Sequence, residues 1–106
     1  MSGNDNIAFT TRVVAATTTL TQNDWMISVE VPTANVTINL PPVASVPPGR
    51  QYIVKRDATA TFTVTLDGDG SETINGATTR AVGAAATAGA CTIMSDGGEW
   101  HVLTSY

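Results

Sequence analysis

The sequence is poor in the side chains that carry chemistry. A single cysteine, Cys91, excludes an internal disulfide and a cysteine-rich metal site. In its apolar-patterned surroundings, Cys91 reads as a packed small hydrophobe. A single histidine, His101, stands beside Trp100 in what reads as a closing hairpin. No Gly-x-Ser-x-Gly elbow frames it, so it is expected to be an outward-facing strand residue and not a catalytic base. Charged residues make up 13% of the chain, about half the usual share. The five basic ones (Arg12, Arg50, Lys55, Arg56, Arg80) are scattered, and the net charge is −4. That argues against a nucleic-acid partner, which needs a basic stripe. No apolar run approaches the roughly 20 residues of a membrane helix, so no membrane partner is expected. The opening MSGNDNIAF has neither the basic n-region nor the apolar h-region of a signal peptide.

What is present is β-forming. Threonine, alanine, valine and glycine fill the composition, and the 106 residues suffice for one domain. The chain is organised around residues 36–56, VTINLPPVASVPPGRQYIVKR. Val36, Ile38 and Leu40 alternate with Thr37 and Asn39, the period of a half-buried strand. Pro41 and Pro42 stop that strand, because proline has no ladder donor and a fixed φ. Pro47, Pro48 and Gly49 make a second stop and turn. Beyond them Tyr52 and Val54 share one face, and Ile53 and Lys55 the other. A connector with four prolines loses little entropy on ordering, so it holds two strands at a fixed offset.

Residues 1–9 form a small, polar N-terminal arm, and 10–106 a single β domain. A first strand is expected near residues 11–15. A second, over residues 24–31, places Trp25, Ile27, Val29 and Val31 on the core face. Residues 57–60 turn the chain, and Phe62, Val64 and Leu66 then point inward. Asn75-Gly76 is a turn after the single apolar anchor Ile74. Residues 80–90 are weakly patterned, with a short strand around 81–83. CTIMSDGGEWHVL is a hairpin: two alternating runs around Asp-Gly-Gly. About seven or eight short strands without a convincing helix define an all-β fold, a compact antiparallel β-sandwich or barrel. So few charges on a β-rich chain give weak protection against edge-to-edge association, which points to an oligomer.

Other motifs carry less. Asp67, Asp69 and Glu72 resemble the start of a calcium loop, but Thr78 stands where an EF-hand would place its glutamate. A hairpin turn is the simpler reading, and neither metal nor cofactor is expected. Gly68, Gly70 and Gly76 make no phosphate loop, because no lysine or helix start follows them. Asn35-Val36-Thr37 fits a glycosylation sequon by chance in a chain with no expected leader. Trp25 and Trp100 could form a sugar-stacking platform, although burial in the core is the expectation for both.

Four segments together resemble the small β-rich modules of tailed-bacteriophage structural proteins. They are the Leu-Pro-Pro strand end at 40–42, the Pro-Gly-Arg turn into a Tyr-x-Val-Lys strand at 48–55, Gly-Ser-Glu-Thr-Ile-Asn-Gly at 70–76, and Ser-Asp-Gly-x-x-Trp at 95–100. With the strands between them the resemblance covers about residues 10–105. Such modules occur in tail fibres, head fibres and capsid decoration proteins.

The resemblance implies a structural virion protein, commonly trimeric, with no catalytic residues. Fibres are long, whereas this chain has room for one module, so a capsid decoration (cement) protein on the capsid surface is the favoured expectation. A homotrimer would bind the major capsid protein through the arm (Asn4, Asp5, Asn6, Ile7, Phe9) and the proline-rich connector (Val43, Val46, Pro47). The alternatives are a tail-fibre or baseplate component, or a host-glycan-binding module.

Overall fold

Alternation makes each segment a strand, and the connectors decide which sheet it joins. The computed structural model describes residues 10–30, 32–57 and 61–106. It contains β1 (Thr10–Val14), β2 (Thr18–Thr19), β3 (Asp24–Val29), β4 (Val36–Asn39), β5 (Gln51–Arg56), β6 (Val64–Asp67), β7 (Thr79–Ala81), β8 (Gly89–Ser95) and β9 (Trp100–Ser105). The only helical turn among the described residues is a 3₁₀ turn, Val43–Ser45, in the proline-rich connector.

The first six strands alternate strictly between two sheets. One sheet has the order β1-β3-β5-β8-β9, the other β2-β4-β6-β7. β1, β3 and β5 pair in parallel, as do β2, β4 and β6. The chain therefore winds as a flattened coil, each turn adding one strand to each layer. Antiparallel strands close one end: β7 on β6, and the β8–β9 hairpin on β5. At the other end, β1 and β2 are the edges of their sheets.

The all-β, two-layer architecture is the one expected from the sequence, but the sheets are mixed, not antiparallel. The physical reason lies in the connectors. Parallel neighbours need a crossover connection, and here the strand of the opposite sheet, with its flanking turns, supplies it. Pro41 and Pro42 end β4 in one layer, and the chain re-enters the other as β5 only at Gln51.

The inner faces of both sheets meet in one core. Ile27, Val29, Tyr52, Val54, Cys91, Ile93 and Trp100 come from the first sheet, and Val36, Ile38, Val64 and Leu66 from the second. Leu20, Leu40, Val43 and Val46 close it along the connectors. Ile74 is buried as anticipated, and Asn75 and Gly76 both take positive φ (50° and 85°), as a tight two-residue turn requires. Phe62 is only half-buried, while Val64 and Leu66 are fully inside. Val31 and the 58–60 part of the expected turn lie outside the described residues.

Trp25 departs from its expected place. Thr10 pairs with Asp24 and the next residue, Thr11, with Met26. One extra residue of β3, Trp25, is thus unopposed: a β-bulge, which re-aims a side chain and breaks the period-2 alternation. Ile27 and Val29 remain in the core, whereas Trp25 keeps 39% of its surface exposed.

Candidate functional site

Three of the four motif segments (48–55, 70–76 and 95–100), dispersed in sequence, are hydrogen-bonded to one another, and the fourth, 40–42, leads into the connector that the 70–76 segment holds. The Pro-Gly-Arg turn meets the closing hairpin where the Gly49 amide donates to the Ser95 carbonyl (2.7 Å) and the Ser95 amide donates to the Arg50 carbonyl (2.9 Å). The Glu72 carboxylate, from the Gly-Ser-Glu segment, accepts from the Val43 amide (2.9 Å) at the start of the connector. Glu99 Oε2 accepts from the Thr73 hydroxyl (2.8 Å) and the Gly76 amide (2.7 Å), tying that segment to the hairpin. The Trp100 amide donates to the Thr73 carbonyl, and the Asn75 amide to the Trp100 carbonyl. Tyr52 and Trp100 pack inside with ring centroids 5.7 Å apart, tilted at 57°.

A second polar network surrounds the bulge. Arg12 binds Asp24 bidentately, Nε and Nη2 each 2.8 Å from a carboxylate oxygen. The Thr21 amide and hydroxyl also donate to Asp24 Oδ2. Burial works against the Asp24 charge, yet the Arg12 and Thr21 hydrogen bonds and the nearby guanidinium hold its carboxyl below the usual range. Arg50, itself 9% exposed, donates to the carbonyls of Gln22 (3.0 Å), Asp24 and Gln51. Tyr52, beneath it, donates its hydroxyl to the Thr21 carbonyl (3.0 Å). Both flanks of Trp25 are therefore fixed. Trp25, Gly49, Arg50 and Gln51 line a shallow depression of about 360 Å³ on the outer surface.

At the hairpin turn, His101 Nε2 lies 2.6 Å from Asp96 Oδ2, both side chains well exposed. The histidine hydrogen bond, with the Gly98 and Glu99 amides, lowers the Asp96 pKa to about 2. The same bond raises the pKa of His101. With Glu99 these are the one group of potential metal-ligating side chains among the described residues, their ligand atoms within 4.8 Å of one another. Each carboxylate already accepts hydrogen bonds that shape the turn. Asp67 and Asp69 are not joined there by Glu72, which turns away to the Val43 amide.

Of the residues expected to contact a partner, Asn4, Asp5, Asn6, Ile7 and Phe9 lie outside the described residues. Val43 and Val46 are 4% and 5% exposed and belong to the core, whereas Pro47 is exposed. Cys91 is fully buried, and burial raises its pKa. Sequence reasoning missed the role of Arg50 and the bulge at Trp25. Alternation within one strand carries no signal for an extra residue relative to a neighbour. No protein-family model matches the chain, and no curated protein is significantly similar to it.

Proposed function

We propose that this protein is a structural component of a bacteriophage virion, a non-enzymatic capsid decoration protein acting as a homotrimer. The observation that carries this reading is the convergence of three of the four motif segments on the closing hairpin, with the fourth leading into the connector beside them. What resembles the phage modules in sequence is one hydrogen-bonded unit in space, joining the connector, the Gly-Ser-Glu turn and the hairpin.

Two further features support an assembly role. The edge strand β1, TTRVV, has no proline, and its one charge is paired with Asp24, so little guards it against association with another chain. Among the described residues, the sole hydrogen-bond partner of the His101 ring is Asp96, an arrangement that builds a turn and activates no nucleophile. The mechanism is adhesion. A rigid module seated over a junction between capsid subunits gains avidity from several weak contacts, and binding only the assembled lattice stabilises it by mass action. The arm, through Asn4, Asp5, Asn6, Ile7 and Phe9, and the exposed Pro47 are the proposed contacts.

The test is copy number per particle, by quantitative mass spectrometry against the major capsid protein of purified virions. Decoration requires copies on the scale of the capsid lattice. A handful of copies would relocate the protein to the tail or baseplate, and absence from particles would overturn the virion reading.

A further inference from the structure

The fold puts most of its carboxylates to internal use. Asp24 binds Arg12, Glu30 accepts from Ser28, Glu72 from the Val43 amide, and Glu99 from Thr73, while Asp96 pairs with His101. Asp57 is engaged as well. Among the described residues, only the side chains of Asp67 and Asp69 make no hydrogen bond or ion pair, and both line the same cleft, of about 330 Å³. The topology places them there. β2, β4 and β6 all end on one row of paired residues, Thr19, Asn39 and Asp67. Ile38 and Leu66, one residue earlier, are buried in the core, so Asn39 and Asp67 face outward. Beyond the row the three connections part, leaving a gap at the carboxyl ends of parallel strands, where open parallel sheets hold their ligands. Asp69 borders it from the turn after β6, and Leu40, Pro41 and Pro42 give it an apolar wall. The Thr19 hydroxyl and the Asn39 side-chain amide are likewise without a partner among the described residues.

From this we infer that the cleft is a docking pocket for a lysine or arginine side chain of a protein partner. Charge complementarity sets the occupant. Two unneutralised carboxylates repel an anion and call for a cation, and the apolar wall calls for one carried on a hydrocarbon stem. A long basic side chain meets both demands, with its methylenes along Leu40, Pro41 and Pro42 and its charged head at Asp67 and Asp69. The cleft lies within the range of about 300–1,000 Å³ typical of ligand sites, ample for such a side chain. Among the described residues, no basic side chain of the chain itself lines it. Arg12, Arg50, Arg56 and Arg80 are bonded elsewhere. The net charge of −4 favours the approach of a basic surface. Strand ends and prolines form the walls, so the pocket binds with little ordering cost. The inference goes beyond the virion reading and does not rest on it, since it names the chemistry of a partner's side chain and not the assembly.

The experiment is an NMR titration of the isotope-labelled full-length chain with four blocked glycine-rich pentapeptides whose central residue is lysine, arginine, norleucine or citrulline. The lysine and arginine peptides are expected to shift the backbone amides of Leu40, Gly68, Asp69 and Gly70, and the neutral pair to leave them in place. Asp67→Asn combined with Asp69→Asn is expected to weaken the charged peptides by about fivefold, the loss of two solvent-accessible charge pairs. Glu30→Gln, which removes a charge outside the cleft, is expected to leave their binding unchanged. The same spectra report whether each variant is folded. No shift at these amides with about 10 mM of either charged peptide, enough to reveal millimolar binding, would overturn the inference. So would equal shifts from the norleucine and citrulline peptides, or an unchanged affinity in the folded double variant. Calcium chloride shifting the same amides in a chain that ignores all four peptides would also overturn it, since the cleft would then belong to a metal ion.

Discussion

Arg50 lies over the ring of Tyr52, its guanidinium carbon 4.1 Å from the ring centroid, while its nitrogens bind the carbonyls of Gln22 and Asp24. One side chain at the start of β5 thus stitches the turn before β3 to the core aromatic beneath it. Removing it strands buried carbonyls and uncovers the ring. Arg50→Ala is expected to cost about 2–4 kcal/mol, combining charged hydrogen bonds with a partly desolvated cation–π contact. For a domain of this size that lowers the melting temperature by roughly 10–25 °C. Arg50→Lys retains the charge but not the planar fork, and is expected to lose most of the same stability. Thermal and urea denaturation check both; a loss under about 0.5 kcal/mol, the level of a surface substitution, would remove Arg50 from the account.

Asp24 gives the fold an acid limit. Its folded pKa lies below the ordinary 3.8, despite burial, because Arg12 and Thr21 bind the charged form. A depressed carboxylate contributes stability that is fully present above its unfolded pKa and is lost as pH falls through the folded one. Melting temperatures measured downward from pH 6 are therefore expected to fall once the pH drops below about 4. Asp24→Asn is expected to be less stable near neutrality by about 1–3 kcal/mol, the cost of weakening hydrogen bonds to a charged group, because the Arg12 left behind is 38% exposed and solvated by water. Its deficit relative to the parent should shrink in acid. Parallel pH curves for the two chains would show that Asp24 is not the group responsible.

Strand identity was legible in the sequence because it is local. Alternation at Val36, Ile38 and Leu40, or at Tyr52 and Val54, survives in the structure as the core faces of β4 and β5. Asn75-Gly76 and Asp96-Gly97-Gly98 are turns for backbone reasons that reside in those residues. Partnership was not legible. Nothing in the residues of β3 states that its neighbours are β1 and β5, both parallel, because β2 and β4 belong to the other layer. Short spacings therefore read as an antiparallel sandwich or barrel. Trp25 failed for the same reason, since a bulge is a property of two strands together. Val43 and Val46, expected as partner contacts in the connector, are core instead, because the core extends beneath that connector.

The Asp96–His101 pair sets a second pH window, at the hairpin. Asp96 is lowered from 3.8 to about 2, and His101 is raised above 6.5. The carboxylate's share of the pairing is fully present above pH 3.8 and lost toward about 2. The histidine's share is fully present below 6.5 and lost as pH rises through its folded pKa. A proton NMR titration of the single imidazole is expected to give a midpoint above 6.5, and Asp96→Asn is expected to bring it back toward that value. A midpoint at or below 6.5 in the parent chain would contradict the pairing.

Two backbone positions with opposite needs test whether the turns are read correctly. Ala86 has φ +63°, in the turn where the Thr87 amide donates to the Ala84 carbonyl (3.1 Å). That is the third position of a type II turn, which favours glycine. An L-residue there costs about 1–2 kcal/mol, and glycine returns part of this through its greater freedom when unfolded. Ala86→Gly is therefore expected to stabilise the fold by about 0.5–1 kcal/mol. Gly68 presents the reverse case. A Cβ there would lie 2.4 Å from the Glu72 carbonyl oxygen and 3.0 Å from its carbon, both backbone atoms. Neither moves without disturbing the segment whose Glu72 side chain holds the Val43 amide. Gly68→Ala is expected to cost about 1–3 kcal/mol, the range for forcing atoms into filled space. Urea denaturation of the two single variants and of the double variant decides the matter. The turns are distinct and share no hydrogen-bond partner among the described residues, so the two effects are expected to add to within about 0.5 kcal/mol. A destabilised Ala86→Gly would mean that the 84–87 turn does not hold positive φ in solution.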